Sequence, residues 1–142
     1  MTSEEPDLTQ NSFSLLLFNY NQANLMDFDQ IRAYCLSKKS TEEDTPFGPG
    51  ALVFKVCGKM FALMTFDEDE GIRMNLKNSP EINLQLRESH PFIIPGYHMN
   101  KNHWNTIHIS GAVSTALLRE LIDQSYASVV AGLPRKVREE LV

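Results

Sequence analysis

The stretch LVFKVCGKMFALMTFDEDEGIRMNLK, residues 52–77, contains three short apolar segments separated by two turns. A glycine lies in the first turn, and an acidic run followed by a glycine forms the second. The last segment alternates most regularly, with Arg73, Asn75 and Lys77 between apolar neighbours. Because alternate side chains of a strand point to opposite faces, the stretch predicts a three-stranded antiparallel meander with one apolar and one polar face.

Helical patterns flank this meander. Residues 27–38 have apolar residues at helical spacing, and Asp27 with Gln30 forms a capping-box pattern at the start. Further helices are predicted after Ser79 and Ser114, with two short strands between them. The order indicates an α+β fold in two layers, α-β(3)-α-β(2)-α, in which helices cover one face of an antiparallel sheet and water covers the other.

Two stretches show neither pattern. Residues 40–50 contain three acidic residues and two X-Pro steps, which is typical of a loop. Residues 1–25 are polar and rich in asparagine, so we expect disorder or loose packing there and a folded domain at 26–142. Because the patterned part begins at Met26, one hypothesis is that Met26 is the native start.

The composition indicates one domain of ordinary type, since 42% of the 142 residues are hydrophobic and 22% are charged. The net charge is -5, so general attraction to nucleic acid is not expected and local patches matter more. The longest apolar run near the N-terminus, residues 15–18, is too short for a membrane span. With two distant cysteines and no signal-peptide pattern, we expect a cytoplasmic protein that is monomeric and does not contact membranes.

Residues 95–104, PGYHMNKNHW, are the most polar and aromatic segment of the chain. They hold two histidines, two asparagines, a lysine and the single tryptophan. The initial Pro-Gly pair predicts a turn, and the alternation that follows Trp104 predicts a strand. We therefore expect a polar loop, here called the 95–104 loop, that is held between strands, where binding residues are commonly found.

Strand parity predicts that cations of the meander and Trp104 share the face opposite the helices. Lysine and arginine can neutralise phosphates, and an indole can stack on a base. Two alternatives remain open. In the first, Trp104 closes the edge of the core, and in the second the cations form an ordinary solvated face. The predicted nucleic-acid or ligand-binding residues are Lys55, Arg73, Lys77, His98, Asn100, Lys101, His103 and Trp104.

Neither catalysis nor metal binding is predicted. The sequence has no glycine-rich phosphate loop, no GxSxG and no HExxH motif. His98, His103 and His108 are spaced five apart, which matches neither the helical nor the strand spacing of a compact metal site. We expect no catalytic residue, no metal ligand and no cofactor.

Four groups of residues resemble the MmcQ/YjbR family of small bacterial proteins. In order, these are TEE with PFG (41–43, 46–48), RMNLK with SPE (73–77, 79–81), PGYHMNK with HWNT (95–101, 103–106) and LID with SY (121–123, 125–126). The resemblance runs from Met26 to about Leu141 and leaves residues 1–25 outside. It implies a CyaY-like α-β(3)-α-β(2)-α fold and a DNA-binding role, the latter through fold similarity to a double-wing DNA-binding domain.

Two functions follow as expectations. The first is a non-enzymatic DNA-binding protein that uses the basic and aromatic sheet face and the 95–104 loop. The alternative is a module that binds a protein or a small anionic ligand through the same loop, without nucleic acid. A flat basic face would favour DNA, whereas a pocket beside the loop would favour a small ligand.

Overall fold

The computed structural model describes residues 26–96 and 99–141. It contains four helices in these ranges: α1 (Phe28–Leu36), α2 (Pro80–Ser89), α3 (Thr115–Ala131) and α4 (Arg135–Glu140). Six strands form one antiparallel sheet: β1 (Thr41–Asp44), β2 (Ala51–Val56), β3 (Lys59–Asp67), β4 (Gly71–Lys77), β5 (Ile93–Pro95) and β6 (Trp104–His108). The strand order is β1-β2-β3-β4-β6-β5. The predicted α+β fold with an open antiparallel sheet is confirmed.

Strand β1 corrects the loop that was predicted for residues 40–50. It pairs with β2 from Thr41 opposite Val56 to Asp44 opposite Val53, so only 45–50 form a loop. β1 is a short, polar edge strand, and such edges protect a sheet from pairing with other chains. The side chain of Glu43 also accepts a hydrogen bond from Nε of Arg32 in α1, at 2.6 Å. The element order is therefore α-β(4)-α-β(2)-α-α.

The core lies between the sheet and helices α1, α2 and α3. Every second residue of β2, β4 and β6 enters it, as the alternation predicted, whereas the neighbouring residues Phe61 and Ala62 of β3 both belong to it. Among its fully buried side chains are Ile31, Phe54, Met64, Met74, Ile107, Leu118 and Ile122. Cys35 belongs to this core, and burial raises the pKa of its thiol to about 12, so it acts as an apolar packing residue.

Ser125 joins α3 to the middle of the sheet. Its buried hydroxyl donates to the carbonyl of Phe61 at 2.5 Å and accepts the backbone N–H of Lys77 at 2.8 Å. The register of β2 against β3 shifts at Phe54/Lys55, which leaves β3 irregular in this region. The serine therefore satisfies backbone groups that the irregular ladder does not pair, and it fixes the end of β4 that carries Lys77.

The capping box predicted at Asp27 is confirmed, because its carboxylate accepts the N–H of Gln30 at 2.8 Å and the Gln30 amide oxygen accepts the N–H of Asp27 at 2.9 Å. We expect Asp27→Ala to lower the free energy of unfolding by about 1 kcal/mol, whereas Asp27→Asn keeps a capping acceptor and most of the stability. Urea denaturation followed by circular dichroism measures both. Equal losses in the two variants would contradict a capping role.

Among residues 26–96 and 99–141, no helix has both the length and the apolar character needed to cross a membrane.

Candidate functional site

The described part of the 95–104 loop is a compact turn organised by Asn100. The Asn100 carbonyl accepts the N–H groups of His103 at 3.2 Å and Trp104 at 3.0 Å. Its side-chain oxygen accepts the N–H of Asn102 at 2.9 Å. Asn100 therefore shapes the loop through its two oxygen acceptors, whereas the sequence predicted that this residue contacts a ligand. His98 lies outside the described residues.

A network of buried amides ties this loop to α2. The Asn83 side chain, only 1% exposed, donates to the carbonyl of Asn78 at 3.2 Å and to that of Asn102 at 3.1 Å. Asn105 in turn donates from its side chain to the Asn83 carbonyl at 3.2 Å. Because each partner lies in a different segment, the network fixes the loop relative to the helix and the sheet.

Arg87 of α2 is a second anchor of the loop, and it was missing from the predicted set. Its Nε donates to Oδ1 of Asn105 at 2.6 Å, and its Nη2 donates to the Lys101 carbonyl. Arg87 follows Asn83 by four residues, so both lie on one face of α2. That spacing was the available signal, but only the fold shows that this face meets the loop.

The predicted strand parity is observed on the face opposite the helices. Lys77 lies directly opposite Trp104 on the neighbouring strand, and Arg73 lies opposite His108. Lys55 lies on the same side in β2, since its neighbours Phe54 and Val56 enter the core. Parity therefore gathers the predicted cations of the strands and the indole on one face.

Carboxylates neutralise two of these cations, which corrects the expectation of a uniformly basic face. Lys55 Nζ donates to Oδ2 of Asp44 at 3.2 Å, and this hydrogen bond lowers the pKa of the Asp44 carboxyl. The Arg73 guanidinium lies 3.2 Å from Asp67 and 3.6 Å from Glu70. Phosphate contact at Lys55 or Arg73 would have to compete with these carboxylates.

The centre of the same face is buried, which corrects the expectation that it is wet. Val53 and Thr106 are each 2% exposed and Asn75 is 5% exposed. Thr106 donates its hydroxyl to Oδ1 of Asn75 at 2.5 Å, and the Asn75 amide donates to the Leu63 carbonyl at 3.5 Å. A ligand on this face would therefore contact its ends rather than its centre.

The two ends of the sheet carry opposite charge. At one end lie the 95–104 loop, the β2–β3 turn and the start of β1, and at the other lie the β3–β4 turn and the 45–50 loop. Strand termini and connections of the first end contribute Lys39, Lys59, Lys77 and Lys101, and those of the second contribute Asp44, Asp67, Glu68, Asp69 and Glu70. Lys38 also lies at the first end, but its ammonium pairs with Asp123. We call the first the basic end, and an anion is attracted to it.

Lys77, Lys101 and Trp104 are the predicted residues that remain available at the basic end. Within the described ranges, neither lysine forms an ion pair with a carboxylate. Lys101 Nζ donates to the Gly96 carbonyl at 3.2 Å, and the Gly96 N–H donates to the Trp104 carbonyl at 2.8 Å. The exposed His103 lies beside them.

A cleft of about 270 Å³ opens at the same end, between the start of β3 and the end of α3. Lys59 and Lys77 line it together with the apolar side chains of Met60, Val129 and Leu133. The described residues include no group of three or more His, Cys, Asp or Glu side chains that could hold a metal ion. Lysines and Trp104 supply the cationic and aromatic groups of this end.

Comparison with known proteins assigns the chain to a family. The sequence profile described as YjbR matches residues 36–128. Escherichia coli K12 YjbR is 32% identical over 117 residues, which cover 82% of this chain and 98% of YjbR. YbdF of Escherichia coli O157:H7 is 45% identical over 92 residues, which cover 64% of this chain and 74% of YbdF.

Solved structures agree with this assignment. A crystal structure of a Deinococcus radiodurans protein of the DUF419 domain type superposes with a TM-score of 0.76 at 38% identity, covering 83% of this chain and 89% of that one. A Pseudomonas syringae protein superposes with a TM-score of 0.62 at 31% identity, covering 70% of this chain and 96% of that one. With both its sequence and its fold matched over most of their length, the chain belongs to the YjbR family.

Proposed function

We propose that this protein is a cytoplasmic, non-enzymatic DNA-binding protein that engages DNA with its basic end. Lys77 and Lys101 contact phosphates, Trp104 stacks on a base, and His103 donates a hydrogen bond. The observation that carries the proposal is the cross-strand pair of Lys77 and Trp104, in which Lys77 forms no ion pair with a carboxylate of the described residues.

The pair has the dimensions of a one-nucleotide contact. Residues directly opposite on antiparallel strands have Cβ atoms about 4.5–5.5 Å apart, so the ammonium and the indole can reach one phosphate and its base. Stacking of a base on an aromatic side chain contributes about 1–3 kcal/mol per base. Since a stacked base must be unpaired, single-stranded DNA is the favoured form. The acidic far end of the sheet repels phosphates and so orients the strand toward the loop.

The test uses Trp104 as its own reporter, because it is the single tryptophan of the chain. A single-stranded oligonucleotide is titrated at two salt concentrations, and quenching of the tryptophan emission measures binding. We expect the double variant Lys77→Gln/Lys101→Gln to bind more weakly and to reduce the slope of log K against log salt by about 0.7 per lost phosphate contact.

Lys55→Gln is the matched control, since it removes a lysine of the same face whose ammonium already binds Asp44. We expect this variant to keep the affinity and salt slope of the unmodified protein. Absence of binding at low salt in the unmodified protein would overturn the proposal. Equal losses for Lys55→Gln and for the double variant would show that net charge, rather than the basic end, determines binding.

The cleft beside Lys77 favours a second candidate, a module for a small anionic ligand with an apolar part. Two lysines and three apolar residues line it, and a mixed cationic and apolar lining is found in many small-ligand sites. A nucleoside monophosphate and inorganic phosphate are suitable probes in calorimetry. Saturable binding of the nucleotide that Lys59→Gln abolishes, together with no binding of DNA, would support this candidate over the first.

A further inference from the structure

The cleft at the basic end adjoins the contact that is proposed for DNA. Lys77 lines this cleft and also lies directly opposite Trp104 on β6. Strands β3, β4 and β6 are consecutive in the sheet, so Lys59 of β3 lies on the other side of Lys77 from Trp104. The tryptophan, Lys77 and the cleft therefore follow one another along the basic end.

The spacing of the two lysines permits contacts with neighbouring phosphates of one strand. Ala62 pairs with Leu76, and toward the basic end Lys59 lies three residues beyond this pair whereas Lys77 lies one residue beyond it. At about 3.3 Å a residue, the two lysines are about 7 Å apart along the strands. Their side chains are flexible, and neither forms an ion pair within the described ranges, so both ammonium groups are available to phosphates.

The walls of the cleft suit a nucleobase. Met60, Val129 and Leu133 supply apolar surface, and a methionine adapts its shape and makes favourable sulfur contacts with aromatic rings. The volume of about 270 Å³ is larger than that of a dry cavity of about 150 Å³ that accepts benzene. A base therefore fits between these side chains while its phosphates stay near the lysines at the rim.

We propose that the cleft is the subsite for the nucleotide next to the one that stacks on Trp104. Its base enters between Met60 and Leu133. Lys77 contacts the phosphate that joins the two nucleotides, and Lys59 contacts the phosphate beyond. The inference rests on the proposed DNA binding and adds the length of the recognised segment, because it makes the ligand a single strand of at least two nucleotides.

Titration with thymidine 5′-monophosphate and with the corresponding 5′-phosphorylated dinucleotide tests the subsite, and Trp104 emission is the readout. We expect both to quench the emission. The dinucleotide should bind about tenfold more tightly, which is the effect of burying about 60 Å² of apolar surface. Lys59→Gln should remove most of this gain and leave the affinity for the mononucleotide unchanged. Lys39→Gln is the matched control, because Lys39 lies at the same end but does not line the cleft, and it should keep the gain.

Gly132→Leu tests the shape of the cleft without changing its charge. Gly132 lines the cleft with right-handed helical backbone angles, φ -89° and ψ -3°, and a Cβ built there meets the Val129 carbonyl oxygen at 3.6 Å, an ordinary contact. The backbone therefore accepts a leucine, which takes up space in the cleft. We expect this variant to lose the tenfold gain for the dinucleotide, while its circular dichroism spectrum and its affinity for the mononucleotide match those of the unmodified protein.

The outcomes distinguish this inference from the proposed function. Equal affinities for the two ligands, with quenching by both, would overturn the second subsite and leave the contact at Trp104 intact. Mononucleotide binding that calorimetry detects and Lys59→Gln abolishes, without quenching, would show that the cleft is a small-ligand site and would also overturn the inference. Quenching neither by these ligands nor by longer strands would overturn the proposed function and the inference together.

Discussion

Replacing Asn83 with alanine is expected to lower the free energy of unfolding by about 2–5 kcal/mol, because two carbonyl groups in and beside the core lose their hydrogen-bond donor. The Asn83 amide is buried at 1% exposure and reaches the carbonyls of Asn78 and Asn102. Losing the second contact also releases the 95–104 loop, so the emission spectrum of Trp104 should shift. Urea denaturation followed by circular dichroism measures the stability, and tryptophan fluorescence reports the loop.

Two further variants distinguish the effect of the lost hydrogen bonds on stability from the effect of the lost side-chain volume. Asn83→Asp keeps the shape but replaces the donor by an acceptor, so it should destabilise at least as much as alanine at neutral pH. Gln85→Ala removes an exposed side chain from the same helix and should leave stability nearly unchanged. A stable Asn83→Asp variant would show that the amide network does not hold the loop.

The sequence predicted the elements that side-chain patterns encode and missed the one that backbone pairing creates. The β2–β3–β4 meander and the helices at 27–38 and 79–90 follow from apolar spacing and caps, and all are present. Strand β1 has no apolar face in its sequence. It lies at the edge of the sheet, and its side chains alternate between half-buried and exposed. It forms through hydrogen bonds to the free edge of β2, and no local pattern of residues 41–44 indicates that.

The sequence predicted which face of the sheet the cations share. Which of these cations pair with carboxylates depends on the register of neighbouring strands, which the sequence did not predict. Alternation placed Lys55, Arg73 and Lys77 on one face, and the structure agrees. The pairing of Asp67 with Gly71 brings the acidic turn beside Arg73, two residues further along β4. The partner of Lys55, Asp44, reaches it only through the unpredicted strand β1. Lys77 has no such neighbour because it lies at the opposite end of β4.

Replacing Gly96 with alanine is expected to lower the free energy of unfolding by about 2–4 kcal/mol and to weaken the proposed DNA binding at Trp104, because a methyl group has no space there. A Cβ atom on Gly96 would lie 2.9 Å from both Cβ and the carbonyl oxygen of Trp104. Neither atom can rotate away, so β5 and β6 must separate. The 2.8 Å hydrogen bond from the Gly96 N–H to Trp104 would then lengthen or break.

Gly111→Ala is the matched control, since no atom lies within 4 Å of a Cβ built there. It introduces the same methyl group into another loop and should leave both stability and tryptophan emission unchanged. Suppose that Gly96→Ala alters the emission of Trp104 and weakens the proposed DNA binding, while Gly111→Ala does neither. The close contact between Gly96 and β6 then determines the position of Trp104. Equal behaviour of the two variants would mean that the loop adapts to the methyl group, and the position of Trp104 would then not depend on Gly96.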